Sequence, residues 1–528
     1  MGTRRFGVTC VAVVVVAASL IGGLGAPTAG ADTTFTVTST ADGADVSPGD
    51  GLCATAEATC TLRAAVTEIA KAIETATATT VVGDPAPDPV PTTIVVPAGT
   101  YDLSQAPLPV VGAVTITGAG KDSTILDIGT GARGFEVTSG SLALADLTIS
   151  GGLGSAAGAA GILAQESDLS LSRVAVTGAG ADGDGGAIQM IGGDLVIDDS
   201  DFTGNAALNG GAVMAAHTAV KITGSRFSDN GSVAGGGAVF LSYPSAVSID
   251  GASFSSNSAT ADGGAIYLEG ATGAGTDDFA ISATFENNTA GRRGGALYVR
   301  TTSNGVTERT LALSKSTFTT NDAASGGAIA MSDGQLEISD CTFTGNQATR
   351  GSGGALTAGG VVSITGSTFE SNSATESGGA VNSAAMITVT GSSFTNNSAG
   401  SLGGAVALSG TTKPEVSGNT FDTNTATSGG GAIWRADVGL KQSANQFTGN
   451  LPAGDDVKLA VYEATVSKAQ SSTTAADGDG SSSSSMVKIG AAAAGVVVMV
   501  LLGFLVIGRR RRRARDHRVD QTMGSDVT

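Results

Sequence analysis

An all-β solenoid is the fold class this sequence predicts. Three observations predict it: a repeat of about 26 residues, apolar alternation within each repeat, and a composition poor in helix formers. Phe-x-x-Asn recurs ten times, from Phe202-Asn205 to Phe447-Asn450, with successive Phe spacings of 25, 27, 31, 33, 25, 26, 25, 27 and 26. Shortly after each of the first nine Asn stands Gly-Gly-Ala-aliphatic, as at Gly210-Gly211-Ala212-Val213 and Gly430-Gly431-Ala432-Ile433. Gly185-Gly186-Ala187-Ile188 opens the series. Repeats of this length built from short alternating segments are coils of a solenoid rather than helical repeats. Gly is 79 of 528 residues, roughly twice the usual share, while charged residues are 14% against the usual quarter. With only 12 Pro and no Gly-X-Y period, collagen is excluded.

Within each period the strands follow from the alternation. After Gly-Gly-Ala comes aliphatic, variable, aliphatic, as in Ile266-Tyr267-Leu268, a strand with one face inward. Residues seven and five before each Phe alternate likewise, as in Val220 and Ile222, and the Phe segment makes a third strand. Stacked coils lie ~4.8 Å apart, so equivalent side chains form columns. Phe rings are expected to stack in one column and Asn amides to bond along another, with Asn in the left-handed backbone of a corner. The Gly pair supplies positive φ at the next corner.

The repeat pairing resembles the polymorphic outer membrane protein repeat, found in surface proteins with a right-handed parallel β-helix. Upstream, Cys60-Thr61-Leu62-Arg63-Ala64-Ala65-Val66 resembles the CSLREA motif that precedes such repeats in exported bacterial proteins. The resemblance implies a right-handed parallel β-helix, a pectin-lyase-like solenoid, over about residues 93–462. The namesake proteins end in an outer-membrane β-barrel, whereas this chain ends in one apolar segment, so the resemblance does not extend to the route of secretion.

The ends carry their own signals. Arg4 and Arg5 precede an apolar run from Val8 to Leu24, and Ala29-Gly30-Ala31 supplies a small-residue cleavage site, so residues 1–31 read as a signal peptide. Residues 32–92 form a cap, in which Thr61 to Ala76 is an amphipathic helix with Leu62, Val66, Ile69 and Ile73 on one face. Arg63 is expected to hold this cap through an ion pair, and Cys53 with Cys60 to form a local disulfide. Residues 463–486 are a stalk rich in Ser, Thr and Gly. Ile489 to Gly508 carries no charge and Arg509 to Arg513 follow, which predicts a transmembrane helix at 487–508 and a cytoplasmic tail at 509–528. The expected location is therefore the cell surface, with the N-terminal region outside a plasma membrane that the chain spans once.

Charge and chemistry narrow the function. Residues 32–486 hold 18 of the 28 Lys+Arg and 44 of the 47 Asp+Glu, a net −26, which excludes nucleic acid as a partner. Cys341 takes a slot that other repeats fill with Ser, and reads as a small buried residue. Asp182 with Asp184, or Asp42, Asp45 and Asp50, are candidate calcium turns that ordinary Asp-Gly chemistry also explains, so neither metal nor cofactor is expected. A binding, adhesive or spacer role follows, with a cell-surface glycan or protein as partner. The alternative is a polysaccharide-acting lyase or hydrolase using Asp198 and Asp250, two rungs or ~10 Å apart, with Lys221 between them. The candidate binding face is the outward column after Gly-Gly-Ala-aliphatic, where Phe240, Tyr267 and Tyr298 succeed one another beside Arg300 and the two longest repeats; the alternative is that loops of those repeats pack over the aromatics and hide them.

Overall fold

The computed structural model describes residues 33–79, 92–130, 133–154, 158–270, 279–300, 310–410, 413–437 and 439–459. The expected signal peptide, stalk, apolar segment and arginine tail lie outside them, as do 271–278 and 301–309 of the two long repeats. No helix among the described residues is long and apolar enough to cross a membrane.

From Leu153 on, the coils contribute three strand segments to one continuous parallel sheet and a short strand, of two residues in most coils, to a second. A representative coil runs through Val213–Ala216, Ala219–Thr223, Arg226–Ser228 and Gly231–Ser232. Every strand pairs in parallel with its equivalent one coil on, as Val213 with Val239 and Phe227 with Phe254. The sequence pattern foretold the first three strands. The fourth gives an 11-stranded sheet of its own, with a column of Ala and Ser turned inward.

The core is a set of columns. Phe202 to Phe447 stack with ring centroids 4.6–5.2 Å apart and planes within 10° of parallel, the spacing the strands impose. Beside them run ten buried Asn. The Asn372 carboxamide donates to the Phe343 carbonyl at 2.9 Å and to Asn397 Oδ1 at 3.0 Å. Its Oδ1 accepts from both the backbone N–H and the side chain of Asn346, at 3.0 and 2.9 Å. All four bonding positions of the amide are thus filled, without water. The series closes where Asn450 donates to Asp456 at 3.1 Å.

One expectation about the corner needs correcting. The left-handed residue is the one before each Asn, for example Asp229 (φ 56°), Thr320 (φ 50°) and Ser371 (φ 55°), not the Asn itself. That twist aims the Asn inward, where its amide is needed. A second polar column lies two residues before the Phe: Cys341 N–H donates to Ser367 Oγ, and Ser367 N–H to Ser392 Oγ, each at 3.1 Å. Cys341 is buried in this column, and burial pushes its thiol pKa up, as suits an unreactive residue.

The Gly pair does two different jobs. Gly353 takes φ 71°, a left-handed conformation. A Cβ on Gly354 would stand 2.0 Å from the Gly379 carbonyl oxygen of the next coil, so only Gly lets the coils close to strand spacing there.

The N-terminal cap forms as expected. The helix Leu62–Thr79 buries Leu62, Val66 and Ile69, while Ile73 packs partly buried against the core. Thr61 Oγ1 accepts from the Ala64 N–H at 3.0 Å and caps the helix. Buried Arg63 holds buried Asp42 bidentately, at 2.5 and 2.9 Å, and donates to the Ala106 carbonyl. Cys53 and Cys60 are joined by a disulfide. Glu68, buried in the same helix, accepts from the Gly49 and Gly51 N–H groups. Asp42 and Asp45 are engaged in this cap, Asp45 by the Ser47 and Ala54 N–H groups. No group of three metal-ligating side chains forms among the described residues.

Two mid-array variants separate the columns' contributions. Phe369→Ala should cost ~3–5 kcal/mol through a cavity between flanking rings. Asn372→Asp keeps the shape but leaves at most one donor, a protonated carboxyl's O–H, for the Phe343 carbonyl and Asn397 Oδ1, which should cost at least ~3 kcal/mol at neutral pH. Its buried carboxyl will hold a raised pKa, so the native state retains a proton that the unfolded chain releases above about pH 4. The variant should therefore lose stability as pH rises through that point. Denaturant unfolding at pH 4 and pH 7 reads both effects.

Candidate binding surface

The outward column begins from the strand that follows each Gly-Gly-Ala. Ile266 and Leu268 point into the core, so Tyr267 points away from it, in register with Phe240 before and Tyr298 after. Phe240 and Tyr267 are 9% and 8% exposed and Tyr298 is 1% exposed, and with Ala330 they form a second, smaller apolar cluster outside the main core. Of the two arrangements the sequence allows, the rings take the covered one: Phe240 and Tyr267 stack, Tyr298 tilts against Tyr267, and little of the three meets solvent.

The cover comes from the segment ahead of the Gly pair, which folds back across the strand. A Cβ at Gly235 would lie 2.7 Å from the Tyr267 ring. The Arg293 guanidinium sits 4.5 Å from the Tyr298 ring centroid, a cation–π contact. Arg293 is in turn held by buried Asp262 through two hydrogen bonds of 3.0 and 2.9 Å, and Arg292 approaches the same carboxylate at 3.6 Å. Arg300 is paired with Glu269. Arg293 and Arg300 are thus each engaged by a carboxylate of the chain itself, while Arg292 shares the Asp262 carboxylate and stays largely exposed.

The candidate catalytic residues stand differently. Asp198, Thr223 and Asp250 are in register on successive rungs, so the two carboxylates are two rungs apart as expected. Lys221 belongs to the intervening coil but two residues before Thr223, beside Val196 and Ser248. All three charged side chains are exposed to solvent. An oxocarbenium-forming pair needs a carboxyl group shielded enough to stay protonated. Neither Asp198 nor Asp250 has that shelter.

Two surface features escaped sequence reading. A groove of about 550 Å³ runs along the second sheet, floored by Gly180, Ala206 and Gly231 and edged by Leu153, Leu208 and Val233, which are exposed. The pairing of Leu208 with Val233 at equivalent places, where other repeats carry small residues, was its one signal. Elsewhere His217 and Tyr243 stack at 5.8 Å with planes 16° apart. Nothing in the repeat marks their position, because its residue type changes at every coil.

Burial raises the Tyr267 hydroxyl pKa to about 12, with Arg300 opposing the rise. A phenol whose folded value exceeds its ordinary value of about 10 stabilises fully below pH 10, and that contribution is lost as pH climbs toward 12. Wild-type protein should therefore lose stability over that window, and Tyr267→Phe should flatten the loss. Thermal unfolding measured from pH 9 to 12 checks this.

Among solved structures, tailspike protein 3 of bacteriophage CBA120 aligns at 11% identity and a TM-score of 0.36, over 70% of this chain and 56% of that one. The A-module of the Azotobacter vinelandii mannuronan C-5 epimerase AlgE4 aligns at 13% identity and 0.29, over 75% and 93%. The catalytic unit of an alpha-1,3-glucanase from Streptomyces thermodiastaticus aligns at 14% and 0.26, over 70% and 64%. This chain thus spans little more than half the length of the tailspike. No curated protein matches it in sequence. The family described as the right-handed beta helix region matches residues 113–369 and 237–447, together more than half of the chain, and the protein belongs to that family.

Proposed function

We propose that this chain is an exported, membrane-anchored bacterial surface protein whose β-helix serves binding, adhesion or spacing outside the cell. The observation that carries the binding or spacer role is how the array uses its side chains. Amide, hydroxyl and ring columns face inward and hold the coils, while Asp198, Lys221 and Asp250 stand exposed on the outside. What remains is a stiff rod of about 60 Å, at ~4.8 Å per rung, carrying a variable surface.

The finer resemblances support the surface location. The Phe-x-x-Asn and Gly-Gly-Ala pairing is similar to the polymorphic outer membrane protein repeat, and Cys60 to Val66 is similar to the CSLREA motif. The Cys53–Cys60 disulfide suits an oxidising exterior. Anchoring rests on the uncharged run 489–508 and the arginines after it, because such a cluster resists translocation. The exterior net charge of −26 keeps such a rod soluble and separate from its neighbours.

Protease shaving of intact cells tests the topology. The β-helix should be lost from outside and a small membrane fragment bearing the arginine tail should survive. Full release of the protein into the medium, or full protection inside the cell, contradicts the reading.

A further inference from the structure

We propose that the column His217–Tyr243, with Glu166 at one end and the Glu269–Arg300 pair at the other, is a binding strip for a neutral oligosaccharide. The proposal deepens the binding reading above and rests on it. It starts from the backbone. Directly after the Gly-Gly-Ala strand, five successive coils place a residue in the left-handed region: Glu166 (φ 46°), Gly192 (φ 76°), His217 (φ 55°), Tyr243 (φ 48°) and Gly270 (φ 66°). The array imposes this conformation, because each of these N–H groups donates to a carbonyl of the next coil, as His217 to Ser242 and Tyr243 to Glu269. Glycine meets the demand without strain, and bulky side chains meet it rarely. Tyr243 also precedes Pro244, which restricts its backbone further. Two neighbouring coils therefore keep an imidazole and a phenol where glycine would be more stable.

Neither ring supports the main core. His217 is exposed and Tyr243 half-buried, and they stack on each other at 5.8 Å. Strained backbone retained for outward-facing rings is a signature of function rather than of folding. The glycines on either side fit the same arrangement. A Cβ on Gly192 would stand 2.8 Å from Glu166 Oε2, and one on Gly270 2.4 Å from Tyr243 Cδ1. Glu166 thus lies across Gly192 toward His217, and Tyr243 lies across Gly270 toward the coil of Arg300. The result is a line of carboxylate, imidazole, phenol and ion pair along the solenoid axis, about 24 Å long at the strand spacing.

The chemistry selects the ligand. Stacked on each other, the rings leave their edges for a ligand, where the imidazole nitrogens exchange hydrogen bonds with sugar hydroxyls, and the carboxylates accept hydrogen bonds from the same hydroxyls. Arg300, paired with Glu269, has N–H groups to share with a sugar oxygen. An anionic glycan is disfavoured by Glu166, Glu269 and the acidic exterior as a whole. A linear neutral chain suits a strip whose contact groups recur rung by rung.

The test uses purified full-length protein in detergent, so its outcome does not depend on where the chain resides in the cell. Binding of cellohexaose, laminarihexaose and maltohexaose, with hexagalacturonate as the acidic comparison, is measured calorimetrically for wild type and for the double variant His217→Gly with Tyr243→Gly. The strip predicts that at least one neutral hexasaccharide binds wild type more tightly than hexagalacturonate. It also predicts that the double variant weakens this binding at least about tenfold, while its thermal midpoint holds or rises because glycine suits the backbone. Unchanged affinity in the double variant, a lowered midpoint marking the rings as structural, preference for hexagalacturonate, or no neutral binding by wild type would each overturn the proposal.

Discussion

The buried asparagine column is the constraint on which the rest of this structure depends. Stacked Phe rings supply much of the apolar burial, but a hydrophobic column tolerates slippage and a change of partner. A carboxamide with all four bonding positions filled by the coils above and below does not. Displacing a coil by one residue turns its whole inward set outward and strands several amide donors and acceptors in an apolar interior. In that low-dielectric setting aligned amides also polarise one another, which strengthens the series beyond its separate bonds. The Asn column therefore sets register, and the Phe column benefits from it.

Other features follow from that requirement. A left-handed residue must precede each Asn so that its side chain turns in, and the array accepts Asp, Ser, Thr or Asn there as well as Gly. The second Gly of each pair must lack a side chain so that coils approach to strand spacing. The ends must be closed, which the helix Leu62–Thr79 does at one side and Asp456 does for the amide series at the other. Residues outside these columns are free to vary, and the protein's individuality lies there: the covered Phe240–Tyr298 cluster, the apolar groove by Leu208, and the His217–Tyr243 pair.

Much of the fold was legible because its determinants repeat. Phe-x-x-Asn, Gly-Gly-Ala and the alternation around Val220 and Ile222 each report a local requirement met once per coil, so their period revealed the solenoid. The helix face of Leu62, Val66 and Ile69, the Arg63 ion pair and the Cys53–Cys60 disulfide were legible from spacing and composition. The candidate site was much less so. Alternation tells which way Tyr267 points from its strand, but not that Gly235 and Arg293 lie across it. Asn was placed in the left-handed corner because it tolerates that backbone, whereas its amide was required one residue further on. His217 and Tyr243 stayed hidden because their position is defined by backbone conformation, and Glu, Gly, His, Tyr and Gly succeed one another there without any sequence likeness.

If interchangeable coils in a fixed amide register are what hold the molecule together, a whole coil is a removable unit and half a coil is not. Asn346 and Asn372 are 26 residues apart, so deleting 347–372 joins Asn346 to Ser373 and lets Asn346 bond to Asn397 in place of Asn372. The decisive measurement is the unfolding transition of that variant beside one lacking only 347–359. The amide-register account predicts that the whole-coil deletion unfolds cooperatively with a β-rich spectrum close to wild type, while the half-coil deletion loses its cooperative transition. Equal damage from the two deletions would contradict it.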